Sequence, residues 1–92
     1  MKGNKTKQKN SQKTPCLDLH GYKVEDVADA VDRFIVRMNA QGQGTVHIMP
    51  GKGSGKVKEA VILYLKQGGF PWKFEKLADG KLNEGVLAVF LD

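Results

Sequence analysis

Residues 45–57 read TVHIMPGKGSGKV, and this stretch decides the fold. Its first five residues are β-branched or apolar apart from one histidine, which is typical of a strand. Residues 50–55 contain three glycines and a proline and therefore predict a loop. Apolar residues at helical spacing begin at Val57. The stretch thus predicts a strand that passes through a glycine-rich loop into a helix.

Two amphipathic helices lie on either side of this strand and loop in the sequence. Before the strand, apolar residues recur with i, i+3, i+4 and i+7 spacing from Val24 to Met38. After the loop, the same spacing runs from Val57 to Leu65. Closely spaced glycines follow each pattern and predict where each helix ends.

Three further strands complete the predicted fold. Residues 16–21 form a short strand, and residues 73–78 and 86–91 form two more, joined by a turn-rich connection that includes residues 83–85. The order is βαβαββ. Right-handed crossovers would place both helices on one face of a mixed four-stranded sheet. The sequence therefore predicts an α/β fold, a two-layer α/β sandwich.

The charge divides the 92-residue chain into a tail and a domain. Residues 1–15 hold five lysines and no acid, whereas residues 16–92 hold ten basic and ten acidic residues. The tail lacks large apolar residues after Met1, so we expect residues 1–15 to be disordered and residues 16–92 to form one domain. A cationic tail attracts phosphate backbones, but the same composition also describes a solubilising tail.

Composition also excludes several classes of protein. The longest apolar runs are six residues, far below the ~18 that a membrane-spanning helix needs. The N-terminus lacks the apolar core of a signal peptide, and a single cysteine cannot form a disulfide within the chain. We therefore expect a cytoplasmic protein that makes no membrane contact.

The glycine-rich loop is a candidate phosphate site. Backbone N–H groups at the start of a helix, where the helix dipole is positive, favour phosphate. A Walker A loop has four residues between its glycines where this chain has three, and a dinucleotide fingerprint needs glycine where Lys56 stands. A tight turn alone would also explain the glycines, but it gives the lysines no role. The predicted phosphate-binding residues are Gly51, Lys52, Gly53, Ser54, Gly55, Lys56 and Lys58.

Asp18 and His20 form the second candidate site. If the first two strands are parallel neighbours, the turn after the first strand lies beside the glycine-rich loop. A carboxylate two residues from a histidine could orient its imidazole, which is the natural proton-transfer group near neutral pH. An isolated Asp-x-His, however, favours a histidine that packs or caps the turn. Two ligands are too few for a zinc site, so no metal or other cofactor is predicted, although a hydrated Mg²⁺ held partly by substrate would leave no sequence signature.

The two remaining reactive side chains are assigned to structure. His47 lies within a predicted strand, where we expect it to pack or to face one side of the sheet. Cys16 lies at a strand start, and we expect a small buried residue rather than a nucleophile.

Taken in order, these motifs resemble the Smr (small MutS-related) domain. The sequence LDLHG at residues 17–21 precedes an amphipathic helix, and a strand then leads into GKGSG at residues 51–55 and VKEAV at residues 57–61. The resemblance covers residues 16–92 and indicates a stand-alone, single-domain member. It implies a domain that binds nucleic acid, RNA or DNA, and in many members nicks DNA or cleaves RNA.

The resemblance also assigns residues. The family's Asp-x-His falls on Asp18 and His20, and its glycine loop on residues 51–55. Many members have His or Thr where this chain has Pro50, which offers neither a hydrogen bond nor a proton. The arginine usual after the loop is replaced by lysine, which we place at Lys58.

Three hypotheses follow. The first is an endonuclease in which His20 is general base or acid, Asp18 orients it, and Lys52 with the loop N–H groups clamps the phosphate. The alternative is a non-catalytic DNA- or RNA-binding module, which Pro50 favours. The third is a protein-interaction domain whose partner performs the chemistry.

Overall fold

A computed structural model describes residues 14–51 and 55–91. The prediction of a disordered tail, apart from its last two residues, and the predicted site residues Lys52, Gly53 and Ser54 lie outside these ranges. The elements follow the predicted βαβαββ order. They are β1 (Cys16–Asp18), α1 (Val24–Ala40), β2 (Thr45–Met49), α2 (Lys56–Gly68), β3 (Trp72–Lys76) and β4 (Leu82–Phe90).

The four strands form one mixed sheet in the spatial order β1-β2-β4-β3. β1 runs parallel to β2, with Leu17 opposite Ile48. β4 runs antiparallel to both of its neighbours, β2 and β3. The predicted α/β fold with a four-stranded mixed sheet is confirmed, and the parallel pair places the carboxyl ends of β1 and β2 side by side.

A single apolar core lies between the sheet and the two helices. Val46 and Ile48 of β2 and Leu87 and Val89 of β4 alternate along their strands and share one face, because side chains two residues apart point the same way. All four are fully buried. They join one cluster with buried residues of both helices: Val27, Val31, Phe34, Ile35 and Met38 of α1, and Val61 and Leu65 of α2. The two-layer arrangement with both helices on one face follows from this cluster.

The last strand is longer than the sequence indicated. We predicted that residues 83–85 belong to the connection before a strand at residues 86–91, whereas β4 already begins at Leu82. The pairing with β3 shifts between Phe74, opposite Leu87, and Glu75, opposite Asn83. The Oδ1 atom of Asn83 accepts a hydrogen bond from the Gly85 N–H at 3.0 Å. Asn83 and Gly85 therefore do form a turn-like hydrogen bond, but it produces an irregularity within β4 instead of ending the strand.

A hydrogen bond also joins the two helices on the surface. The Tyr64 hydroxyl of α2 donates to Oδ1 of Asp32 of α1 at 2.5 Å. The pKa of Tyr64 is raised to about 12, mainly because the phenol is shielded from water and secondly because it donates this hydrogen bond to Asp32. Within the described residues, none of the helices has the length and apolar character needed to cross a membrane.

Candidate functional site

A concavity of about 480 Å³ lies where β1 and β2 end and both helices begin. Its lining comes from the turn after β1, the residues on either side of the glycine loop, and the first turns of α1 and α2. We call it the first concavity. The lining residues are Leu19, His20, Gly21, Tyr22, Lys23, Val24, Pro50, Gly51, Gly55, Lys56, Val57 and Lys58. The two motifs singled out in the sequence therefore meet in space.

A tight turn places His20 at the edge of the first concavity. The Tyr22 N–H donates to the Leu19 carbonyl at 3.0 Å, and Gly21 between them has φ of +82°. This is the arrangement of a type II turn, which favours glycine at its third position. Leu19 is fully buried and its N–H donates to the Met49 carbonyl at 2.8 Å, while His20 is exposed. The turn thus presents the imidazole on a backbone anchored to β2.

Asp18 acts on the backbone of His20. Its Oδ1 accepts a hydrogen bond from the His20 N–H at 2.9 Å. Within the part of the chain that the structure describes, no hydrogen bond or ion pair joins this carboxylate to the imidazole. Such a contact was one of the alternatives that the sequence left open. Asp18 instead closes a local ring with the backbone two residues on, as aspartates in turns do, so it fixes the turn that carries His20.

Gly51 allows the loop after β2 to approach His20 closely. It has φ of +87°, and a Cβ atom there would lie 3.4 Å from the His20 Cα. Gly55 also has φ of +87° and is the N-cap residue of α2. Pro50, the residue before Gly51, is buried.

The charged lining of the first concavity is cationic. Its charged side chains are Lys23, Lys56 and Lys58, and none of the described residues that line it is acidic. The N-termini of α1 and α2 add partial positive charge on the same side. The concavity is therefore suited to an anion.

Lys58 is already engaged by other groups. Its Nζ lies 3.7 Å from Oε1 of Glu84 and 5.4 Å from the centre of the Phe74 ring. Glu84 sits in the irregular stretch of β4, so the feature missed from the sequence also supplies this partner. Lys58 lines the concavity, and Glu84 partly neutralises its charge.

Tyr22 and Lys23 line the first concavity although sequence reasoning did not select them. Both lie between the LDLHG motif and the start of α1. The available signal was positional: residues between a parallel strand and the next helix lie at the same edge as the residues that end the strand.

Cys16 and His47 lie on the opposite face of the sheet, where they are cross-strand neighbours. Nδ1 of His47 is 4.0 Å from Oε2 of Glu75, which agrees with its assignment to a sheet face. Cys16 is exposed, so the expectation that it is buried was wrong. β1 is an edge strand, and the two described helices, α1 and α2, pack on the other face of the sheet. The pKa of Cys16 is raised, mainly because the thiol is partly shielded from water and secondly because of the negative charges of Asp18 and Glu75. The thiol is therefore protonated at neutral pH.

Fold and first concavity together define a small two-layer α/β domain with a cationic site at the carboxyl ends of two parallel strands. Residues 17–92 match the model of the Smr domain family. The chain therefore belongs to the Smr domain family, as the resemblance of its motifs indicated.

Similar proteins come from bacteria and yeast. Endonuclease MutS2 of Ligilactobacillus salivarius is 33% identical over 81 residues, which cover 88% of this chain and 10% of that protein. An Smr domain-containing protein of Schizosaccharomyces pombe is 30% identical over 90 residues, covering 90% of this chain and 41% of that protein. This chain thus spans about a tenth of the MutS2 relative and two fifths of the yeast relative.

Two crystal structures share the fold. The Smr domain of Thermus thermophilus MutS2 superposes with a TM-score of 0.72 at 26% identity, covering 86% of this chain and 99% of that domain. YdaL, a stand-alone small MutS-related protein from Escherichia coli, also gives a TM-score of 0.72 at 26% identity, covering 88% of this chain and 69% of YdaL.

Proposed function

We propose that this chain binds nucleic acid, RNA or DNA, through the first concavity and cleaves the phosphodiester backbone there as an endonuclease. The observation that carries the proposal is an exposed histidine at the edge of a concavity whose charged lining is cationic. The kinship with proteins named endonuclease MutS2 supports it.

In this proposal, the phosphate lies between the two helix N-termini. Lys23 and Lys56 bring positive charge to it from α1 and α2. Backbone N–H groups of the glycine loop donate to its oxygens. The sequence predicts that Lys52, Gly53 and Ser54 bind the same phosphate, with Lys52 stabilising the charge that develops in the transition state. Lys58 also lines the concavity, where its Nζ lies 3.7 Å from Oε1 of Glu84.

His20 moves the proton in the proposed reaction. With RNA, it takes the proton of the 2′-hydroxyl, whose oxygen attacks the adjacent phosphorus while the 5′-oxygen leaves and takes up a proton. With DNA, which lacks that hydroxyl, the same base takes a proton from water, whose oxygen attacks the phosphorus while one ester oxygen leaves and takes up a proton. Asp18 is a positioning residue, since its bond to the His20 N–H holds the turn that presents the imidazole.

We predict that the two helix-start lysines set the salt dependence of binding. Lys23→Gln and Lys56→Gln should each weaken binding and reduce the slope of log K against log salt by about 0.7 for single strands and about 0.9 for duplex DNA, one phosphate contact each. Fluorescence anisotropy at several salt concentrations measures this. Lys66→Gln, in the last turn of α2, is the matched control. Equal slopes in all three variants would place the phosphate elsewhere.

We also predict that Gly51 is needed for binding and not only for folding. Gly51→Ala and Gly80→Ala each force alanine into a positive φ, +87° and +89°, and should cost about 1–2 kcal/mol of stability. Only the Gly51 substitution adds a Cβ beside His20, whereas Gly80 has open space around it. Urea unfolding and oligonucleotide binding together test this. Binding affected equally in both variants would contradict it.

A non-catalytic nucleic-acid-binding module is the second candidate. Pro50 favours it, because this position has neither an N–H group nor a proton to contribute. The module would bind through the same concavity. Tight binding without cleavage of any substrate would select it over the endonuclease.

A further inference from the structure

A second groove of about 370 Å³ adjoins the first concavity and has no role in the proposed reaction. Its walls include Tyr22 and four charged side chains of α1, namely Asp26, Asp29, Arg33 and Arg37. Tyr22 is the residue that lines both spaces. The second groove is within the size range of ligand sites, about 300–1,000 Å³.

Tyr22 is held in place at the boundary between the two spaces. Its backbone N–H is fixed by the bond to the Leu19 carbonyl that closes the turn. It follows His20 by two residues, so their Cα atoms are at most about 7.6 Å apart. The residue nevertheless remains 44% exposed. An exposed aromatic ring beside a phosphate site is a surface on which a base can stack.

The first concavity and the second groove differ in charge, so that the first favours a phosphate and the second does not. The first concavity is lined by lysines without acids among the described residues, whereas the second groove balances two carboxylates with two guanidinium groups. Asp29 and Arg33 already form an ion pair at 3.2 Å. A balanced site gives little attraction to a phosphate. It offers, however, acceptors for the amino groups of bases and donors for their carbonyl and ring nitrogen atoms.

The second groove also has an apolar surface that a base could contact. Leu17 and Ala30 line the same groove and pack against the hydrophobic core. A nucleobase has an apolar face and a polar edge, and the groove likewise combines an aromatic ring and apolar side chains with polar groups.

We propose that the second groove binds a nucleobase and that Tyr22 stacks on it when the adjacent phosphate occupies the first concavity. This inference rests on the proposed function and names its substrate class. In a duplex, each base is paired and stacked between neighbours and cannot enter the groove without being extruded. The substrate is therefore a strand with an unpaired base, such as single-stranded RNA or DNA, a loop or a flap.

The test compares two single strands of equal length and charge. One is a fluorescently labelled oligothymidylate, and the other is the same backbone with abasic sites throughout. Wild type should bind the base-bearing strand about 5- to 150-fold more tightly, the range that corresponds to one stacked base. Tyr22→Ala should lose most of this preference, because its affinity for the base-bearing strand falls more than its affinity for the abasic strand. Tyr22→Phe should keep the preference. Val36→Ala, at an exposed residue elsewhere on α1, is the control and should also keep it.

Each outcome bears on a different claim. Equal affinity of wild type for the two strands would overturn the base site and leave the phosphate site standing. A Tyr22→Ala variant that loses both strands equally, while its unfolding transition matches wild type, would also overturn it, because the ring would then serve the phosphate site. Failure of wild type to bind either strand at low salt would overturn the proposed function and the base site together.

Discussion

Replacing His20 with alanine is expected to slow phosphodiester cleavage by about 10²- to 10⁴-fold, the usual contribution of one general acid–base group. Nucleic-acid binding should change only a few-fold, because the charge of the first concavity comes mainly from lysines and helix N-termini. His20 is exposed, so its loss leaves no cavity in the core. Labelled single-stranded RNA, duplex DNA and branched DNA are the substrates, each with EDTA and with Mg²⁺.

His47→Ala is the matched control for this experiment. It removes the chain's other histidine, which lies on the opposite face of the sheet, and should leave cleavage unchanged. Because the two variants are purified in the same way, any cleavage that persists in His20→Ala also reveals a contaminating nuclease. Equal cleavage by wild type and His20→Ala would contradict the role of His20, and equal loss of cleavage and binding would contradict the division of labour between His20 and the lysines.

Leu19→Ala should be among the most destabilising substitutions in the chain. Leu19 is 0% exposed and belongs to the central cluster, so truncation should lower the free energy of unfolding by about 2–5 kcal/mol. Small domains have only roughly 5–15 kcal/mol in total. The variant should therefore unfold at markedly lower urea concentration, as followed by circular dichroism.

Leu63→Ala tests whether burial is the cause. Leu63 is 55% exposed on α2, and its truncation should change stability by no more than about 0.5 kcal/mol. If the two substitutions lowered the free energy of unfolding by similar amounts, the placement of Leu19 in the core would be contradicted. The position of Leu19 matters for the site, because the same residue holds the turn that presents His20.

The order of elements was predictable because local patterns and tertiary packing agree. The helical spacing in α1 matches the side chains that enter the core, such as Val27 and Val31. The start of β4 was not predictable. Asn83 and Gly85 are typical turn residues, and only pairing with β3 distinguishes a turn between strands from an irregularity within one.

The meeting of the two motifs was also predictable, since parallel neighbouring strands end at one edge of the sheet. The contacts of individual side chains were not. Asp18 has a backbone N–H two residues away that satisfies its carboxylate at once. The partner of Lys58 depends on the irregularity at Glu84. The exposure of Cys16 depends on which strands form the edges of the sheet, which periodicity alone does not reveal.

The most direct test of the account is a titration of ¹⁵N-labelled protein with a single-stranded oligonucleotide, followed by amide chemical shifts. If nucleic acid occupies the first concavity, the largest shifts should fall at His20, Lys23, Gly51, Gly55 and Val57. Shifts concentrated on the face of the sheet opposite α1 and α2, at Cys16, His47 and Lys73, with the first concavity unaffected, would contradict the account.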